Sequence, residues 1–484
     1  MVNSELYPAM HQIFRFNTPA VVFLLALLSG CSREPGQSSS PPAPEAEAFQ
    51  PYTGETVSSQ RLAVLGVTTV LSSVENLRTA SAAPQEGPTH VQQGDVVFSD
   101  YGYGVAYIAL KDGKEHVVHN GRGGMPCTGV ASLTVSPDGR RVSYRCDMGT
   151  KQQMVIDGIK KQAYDNVRNQ VYSPDSRHLA YLAQVGNTFR IILDDRIVDE
   201  CSGVNDLTFS NDSTKLMYIS RTEGLPQARF VLFDLKTGKK VVKECLDAPY
   251  VYHRKSDRIA LTVVEGDKQR LVDFAIASSD KVKRTEAYDL ITNISIGLDG
   301  KSVAFIAHRG AGRYLVANGR EERLPDKLGV NGPPQVRPDL KGAGIILATA
   351  ERYNNRYAFH QAFLGGAPGM VWYDKAQDLV YGGKGSVAYA AKRGEKWFVV
   401  LNGKEGPEFD MVVTPMFSPD GRKLVYRARD KGKRFVVVAD AATRDHRRQP
   451  EYEMVFQAAF SEDGRSVAYG VKDGNQLVWK VEKL

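Results

Sequence analysis

One short turn returns along most of this chain, and it restricts the fold more than any other feature. At Phe417-Ser418-Pro419-Asp420-Gly421 a proline fixes φ and Asp-Gly permits a tight reversal. Leu424-Val425-Tyr426 then opens a second β-prone stretch, so the piece reads as a hairpin. Close copies stand at Val135-Ser136-Pro137-Asp138-Gly139, Tyr172-Ser173-Pro174-Asp175-Ser176, Phe209-Ser210-Asn211-Asp212-Ser213 and Phe460-Ser461-Glu462-Asp463-Gly464. Weaker copies centre on Asp100, Asp257, Asp299 and Asp339, and Gly385-Ser386-Val387-Ala388-Tyr389 lacks the acid. The spacing is regular: Asp100, Asp138, Asp175 and Asp212 are separated by 38, 37 and 37 residues. A period of about 40 residues is the length of one four-stranded propeller blade.

Each unit has a second half. After Tyr426 a polar loop leads to Phe435-Val436-Val437-Val438. Asn120-Gly121, Asp157-Gly158, Asn318-Gly319 and Asn402-Gly403 supply the next reversal, a type I′ signature. An aromatic-Asp pair often ends the unit, as in Tyr164-Asp165, Tyr288-Asp289 and Phe409-Asp410. Four strands, A to D, fill each unit. Their alternation is blurred, as expected of sheets buried on both faces. The expectation is an all-β propeller over residues 95–484, with up to ten units where four to eight are usual.

The repeat resembles the WD-like repeat of TolB and of the propeller domains of prolyl-oligopeptidase-type enzymes. That resemblance implies the fold; as a turn signature it does not select a function. For the TolB side it implies a non-enzymatic binding role. The Trp-Asp pair of eukaryotic WD repeats does not end these units, and no TolB-type N-terminal domain precedes residue 95.

The N-terminus reads as an address. Residues 1–30 form a signal peptide with an apolar run from Ala20 to Leu28, too short to span a bilayer. Leu28-Ser29-Gly30-Cys31 matches the bacterial lipobox, so Cys31 is the expected lipidation site. The alternative is an ordinary signal peptide with an incidental cysteine. Translation starts at Met1 or Met10. Residues 31–57 are rich in Ser, Pro, Glu and Ala and form a tether rather than a core. Ser32, not Asp, follows Cys31, which by resemblance to sorted lipoproteins favours the outer membrane of a bacterial envelope. The last unit runs out after Leu477-Val478-Trp479, so its fourth strand is assigned to residues 58–94.

Four further cysteines, Cys127, Cys146, Cys201 and Cys245, suit an oxidising compartment. Three pairings are open, as are four buried thiols. Cys127 and Cys146 flank one A–B hairpin and are the first choice.

The search for chemistry is mostly negative. Hydrolase elbows, zinc spacings and calcium loops are missing from the motifs, so neither a catalytic residue, a metal nor a cofactor is assigned. His116 and His119 read as surface histidines. A formal net charge of +7 over 484 residues does not argue for nucleic acid. It is unevenly placed, however. The B–C loops hold 17 Lys and Arg against 8 Asp and Glu. Arg393, Lys396, Lys431, Lys433 and Arg434 form the densest part of this candidate basic rim, suited either to solubility or to an anionic partner. Three readings follow: an envelope scaffold binding a protein or anionic partner, an enzyme on a polymer such as a glycan, and a purely structural lipoprotein.

Overall fold

In the computed structural model the chain is an all-β ring of ten successive antiparallel blades. The structure describes residues 69–73 and 96–484, apart from 101, 226, 249, 338–341, 350–354, 363–370, 384, 462 and 475. The signal segment, Cys31, the tether and the Asp339 turn lie outside the described residues. Blades 1 to 5 span residues 96–127, 129–164, 166–201, 203–245 and 251–284. Blades 6 to 10 span 290–323, 328–362, 375–405, 411–448 and 454–483. Nine sheets have four strands, and blade 7 has three among the described residues.

The A strands of successive blades approach one another and line the centre, while the D strands form the outer belt. B and C strands are buried on both sides. Leu216, Met217, Tyr218 and Ile219 are all buried, alternate residues facing opposite neighbours. Leu182 and Ile191 of blade 3 thus share one cluster with Phe209 and Tyr218 of blade 4. Burying a side chain of this size stabilises by about 1.5–3 kcal/mol. Continuous apolar strands are therefore what this stacking requires.

In five blades the repeated turn closes the A–B hairpin from within. The Ser418 hydroxyl donates to Asp420 Oδ1 at 2.6 Å and accepts from the Lys423 N–H at 2.9 Å. The Arg422 N–H also donates to Asp420 Oδ1, at 3.0 Å. Ser136/Asp138, Ser173/Asp175, Ser210/Asp212 and Ser461/Asp463 repeat the hydroxyl-to-carboxylate bond. At Gly139 glycine is needed for space as well as for its φ of 73°. A Cβ there would stand 2.4 Å from the Gly104 nitrogen of the previous blade.

The ring closes through its first and last strands. Thr69–Ser73 runs antiparallel to Gln476–Lys483 and is the fourth strand of blade 10. Phe98 of blade 1 then packs on Phe456 and Trp479 of blade 10, with centroids 5.2 and 5.9 Å apart. No helix among the described residues is long and apolar enough to cross a membrane.

Candidate functional site

Three regions carry polar chemistry: the face bearing the B–C turns, the central lining, and the outer belt.

On the first, the acid of the aromatic-Asp pair fastens one blade to the next. Asp410 accepts from Lys396 Nζ of blade 8 at 2.8 Å and from the Lys431 N–H of blade 9 at 2.7 Å. Asp165 accepts from Lys151 and from the Gly186 N–H. Asp289 does the same with Lys268 and Gly310. The ammonium partner holds the carboxyls of Asp165, Asp289 and Asp410 below the usual range.

This device uses up much of the basic rim. Arg393 makes a two-pronged bond to Glu405 at 2.7 and 2.8 Å and lies over the Tyr373 ring. Lys396 is held by Asp410. Arg434 donates to the Glu453 carbonyl at 2.6 Å, and burial lowers its pKa. Lys431 contributes its backbone to the Asp410 bond and has a left-handed φ of 49°. Lys433 is exposed at the start of its strand. The five residues share one face, but three of their side chains are already engaged by the chain itself.

The central lining has a signal that sequence reasoning missed. Midway along most A strands the register slips by a bulge. A residue with left-handed φ sits there: Ser132, Asn169, Asp206, Asn293, Asp378 and Thr414, all between 52° and 56°. Neighbouring side chains cross from blade to blade. Asn293 Nδ2 donates to the Gly332 carbonyl at 2.9 Å and Asn331 Nδ2 to the Ala376 carbonyl at 2.8 Å. Arg427 Nη1 donates to the Phe456 carbonyl at 2.7 Å, and Gln457 Nε2 to the Phe98 carbonyl at 3.1 Å, across the closure. Asp206 differs from the others. Its Oδ2 is buried without a hydrogen bond, its carbonyl accepts from the Tyr250 hydroxyl at 2.8 Å, and burial pushes its carboxyl up to about 6.

The cysteines divide by the residue opposite them. Cys127 ends the D strand of blade 1 and is disulfide-bonded to Cys146 on the B strand of blade 2, joining two blades. Cys201 and Cys245 end the D strands of blades 3 and 4 and are buried free thiols, pushed up to about 12 and about 11 by burial. His119 corrects the expectation of surface histidines: it is 6 % exposed and bonded to the Gly139 carbonyl at 3.0 Å. The A–B turn of blade 2 packs over it, which a strand pattern alone does not reveal. Among the described residues no group of three or more His, Cys, Asp or Glu could hold a metal ion.

On the outer belt, a cleft of about 350 Å³ opens between blades 3 and 4. Ile197, Val198, Phe233 and Leu235 line it, with Arg196 and Lys236 beside them.

No protein-family model matches the chain, and no curated protein matches it. Among solved structures, a eukaryotic initiation factor shares 12 % identity at a TM-score of 0.44, over 71 % of this chain and 95 % of that one. An oligogalacturonate lyase from Vibrio parahaemolyticus shares 10 % at 0.33, over 80 % and 98 %. TolB from Acinetobacter baumannii shares 14 % at 0.24, over 66 % and 80 %. At such scores these likenesses carry no argument; the propeller stands on its own strand pairing.

Proposed function

We propose that this chain is a bacterial envelope lipoprotein, anchored through Cys31, whose ring is a non-enzymatic protein-binding scaffold. One observation supports it above others: the acids placed by the repeats are spent on the frame. Asp138, Asp175, Asp212, Asp420 and Asp463 bind their own turns, and Asp165, Asp289 and Asp410 bind the next blade. A rim built this way offers area and rigidity to a partner. The test is affinity capture from solubilised envelopes with the full lipidated protein. A stoichiometric protein partner is the expected result. Cys31→Ser should abolish acyl labelling and release the chain from membranes; a wild-type protein that stays soluble after export sinks the anchor.

A second reading, turnover of an envelope or extracellular polymer such as a glycan, is favoured by Asp206. A buried carboxyl raised to about 6 on the central lining suits general acid–base work. Polymer turnover lost in Asp206→Asn would replace the scaffold reading.

A further inference from the structure

The exposed apolar side chains are not spread evenly round the ring. Of eleven exposed large hydrophobics among the described residues, eight lie between Leu110 and Val242, in blades 1 to 4. Four of these, Ile159, Ile197, Val241 and Val242, sit on the D strands of three adjacent blades. Elsewhere the belt is charged: Arg320-Glu321-Glu322-Arg323 in blade 6 and His446-Arg447-Arg448 in blade 9. An exposed β-branched residue gains nothing from water, so this sector stands out from a solubilising surface.

The charges beside these residues are also unbalanced. Asp195 accepts from Lys161 at 2.7 Å, Asp199 from the Tyr218 hydroxyl and Lys240 at 2.6 and 2.7 Å, and Glu200 from Arg190 at 2.7 Å. These carboxylates are therefore neutralised locally. No described residue partners the charged ends of Lys160, Arg196, Lys236 or Lys239. Two of those cations flank the cleft between blades 3 and 4, whose wall is Ile197, Val198, Phe233 and Leu235. Its volume of about 350 Å³ lies at the lower end for ligand sites and suits one or two side chains rather than a cofactor.

The third observation is an open edge. Lys240–Cys245 pairs with Ala228–Asp234 on one side and, among the described residues, with no strand on the other. Its outward N–H and C=O groups form a template for an added strand.

From these three features we infer that the outer belt at blades 3 and 4 docks an extended acidic polypeptide. It would add a strand to the edge of Lys240–Cys245 and seat an apolar side chain against Ile197, Val198, Phe233 and Leu235. Its carboxylates would meet Arg196, Lys236 and Lys239. An anionic bilayer matches the charge but supplies no backbone ladder for the edge, so a polypeptide fits more of what is present. The inference deepens the scaffold reading and rests on it.

The test uses the full chain and a short fluorescent peptide alternating phenylalanine with glutamate. The control peptide carries lysine in place of glutamate. Anisotropy should show saturable binding of the acidic peptide, weakening with salt because exposed charges are screened over about 8 Å at physiological ionic strength. The Arg196→Glu/Lys236→Glu pair should weaken it about tenfold or more and favour the lysine peptide, and Ile197→Ser should weaken both. Lys431→Ser/Lys433→Ser, on another face, should leave it unchanged. Equal binding of the two peptides, or binding indifferent to the charge reversal, overturns the inference. So does Lys236-dependent capture by phosphatidylglycerol vesicles without peptide binding, which assigns the belt to a membrane. Self-association abolished by Ile197→Ser, without peptide binding, overturns it in favour of a second copy. An envelope partner still captured by the charge-reversed chain removes this surface and leaves the scaffold standing; capture of none removes the scaffold itself.

Discussion

Cys127 on the outer strand of blade 1 is bonded to Cys146 on the second strand of blade 2, nineteen residues further on. Val130 faces Cys146 in that hairpin, and in blade 4 Val204 faces Ser220. Ser220 therefore occupies the place of Cys146 relative to Cys201, also nineteen residues on. Its hydroxyl is buried without a hydrogen bond. Ser220→Cys should form a second inter-blade disulfide with Cys201 in protein taken from an oxidising compartment. Peptide mapping without reductant checks it; two alkylatable thiols would refute the equivalence.

Removing the native bond should be costly in turn. Closing a loop of this length restricts the unfolded chain by about 3 kcal/mol. Cys127→Ser/Cys146→Ser should lower stability by about 2–4 kcal/mol in urea titration, with the fold intact by circular dichroism.

Asp206 gives a pH signature of unusual sign. Its carboxyl is raised to about 6 by burial, while in the unfolded chain it ionises near 3.9. The folded ring then holds a proton that the unfolded chain has lost. The penalty is absent below about pH 4, grows between about 4 and 6, and stays constant above. Asp206→Asn should stabilise the ring at pH 7 by on the order of 2 kcal/mol and change little at pH 4. Urea midpoints at the two pH values decide; a variant equally affected at both rules out the buried acid as the cause.

Asp165, Asp289 and Asp410 act in the opposite direction. Their folded carboxyls lie below the usual range, so their support is present above about pH 4 and fades as pH falls through their folded values.

The basic residues are expected to matter for stability as well as for charge. Replacing Arg393, Lys396, Lys431, Lys433 and Arg434 with Ser removes the Glu405 pair, the Asp410 pair and the bond to the Glu453 carbonyl. These contacts are exposed to solvent, which screens them, so only a small loss of stability is expected. A variant as stable as the parent would mean that these contacts do not support the fold, and one that captures the same partners with the same salt dependence would mean that the face is merely solubilising.

How much of this was legible follows from where each signal lives. Ser418, Asp420 and Gly421 act within one turn, so their spacing displayed the repeat directly. Arg393 and Lys396 were visible as charge. Their partners Glu405 and Asp410 come from the far end of the same unit, and a loop count does not pair them. The central bulges were invisible because Ser132, Asn169, Asp206 and Thr414 share a backbone conformation and no common side chain. The cleft joins Ile197 to Phe233, strands from different units, so only stacking brings it into being.

Pairing of Thr69–Ser73 with the last blade should be measurable. A chain beginning at residue 74 loses the backbone partners of Trp479, Val478, Leu477 and Gln476. It should melt at a lower temperature than the parent, and unchanged melting would show that the pairing contributes nothing.

That same pairing has a consequence for biosynthesis. Thr69 leaves the ribosome early and meets Trp479 only after roughly 400 more residues have followed, a contact of very high order. Until then the growing stack has two raw ends. One carries Phe98 and Tyr107, which the finished molecule hides against blade 10. A ring of this kind remains adhesive throughout its synthesis and becomes inert in a single late step. Holdase chaperones acting on that interval, rather than catalysts of folding, would then set its yield.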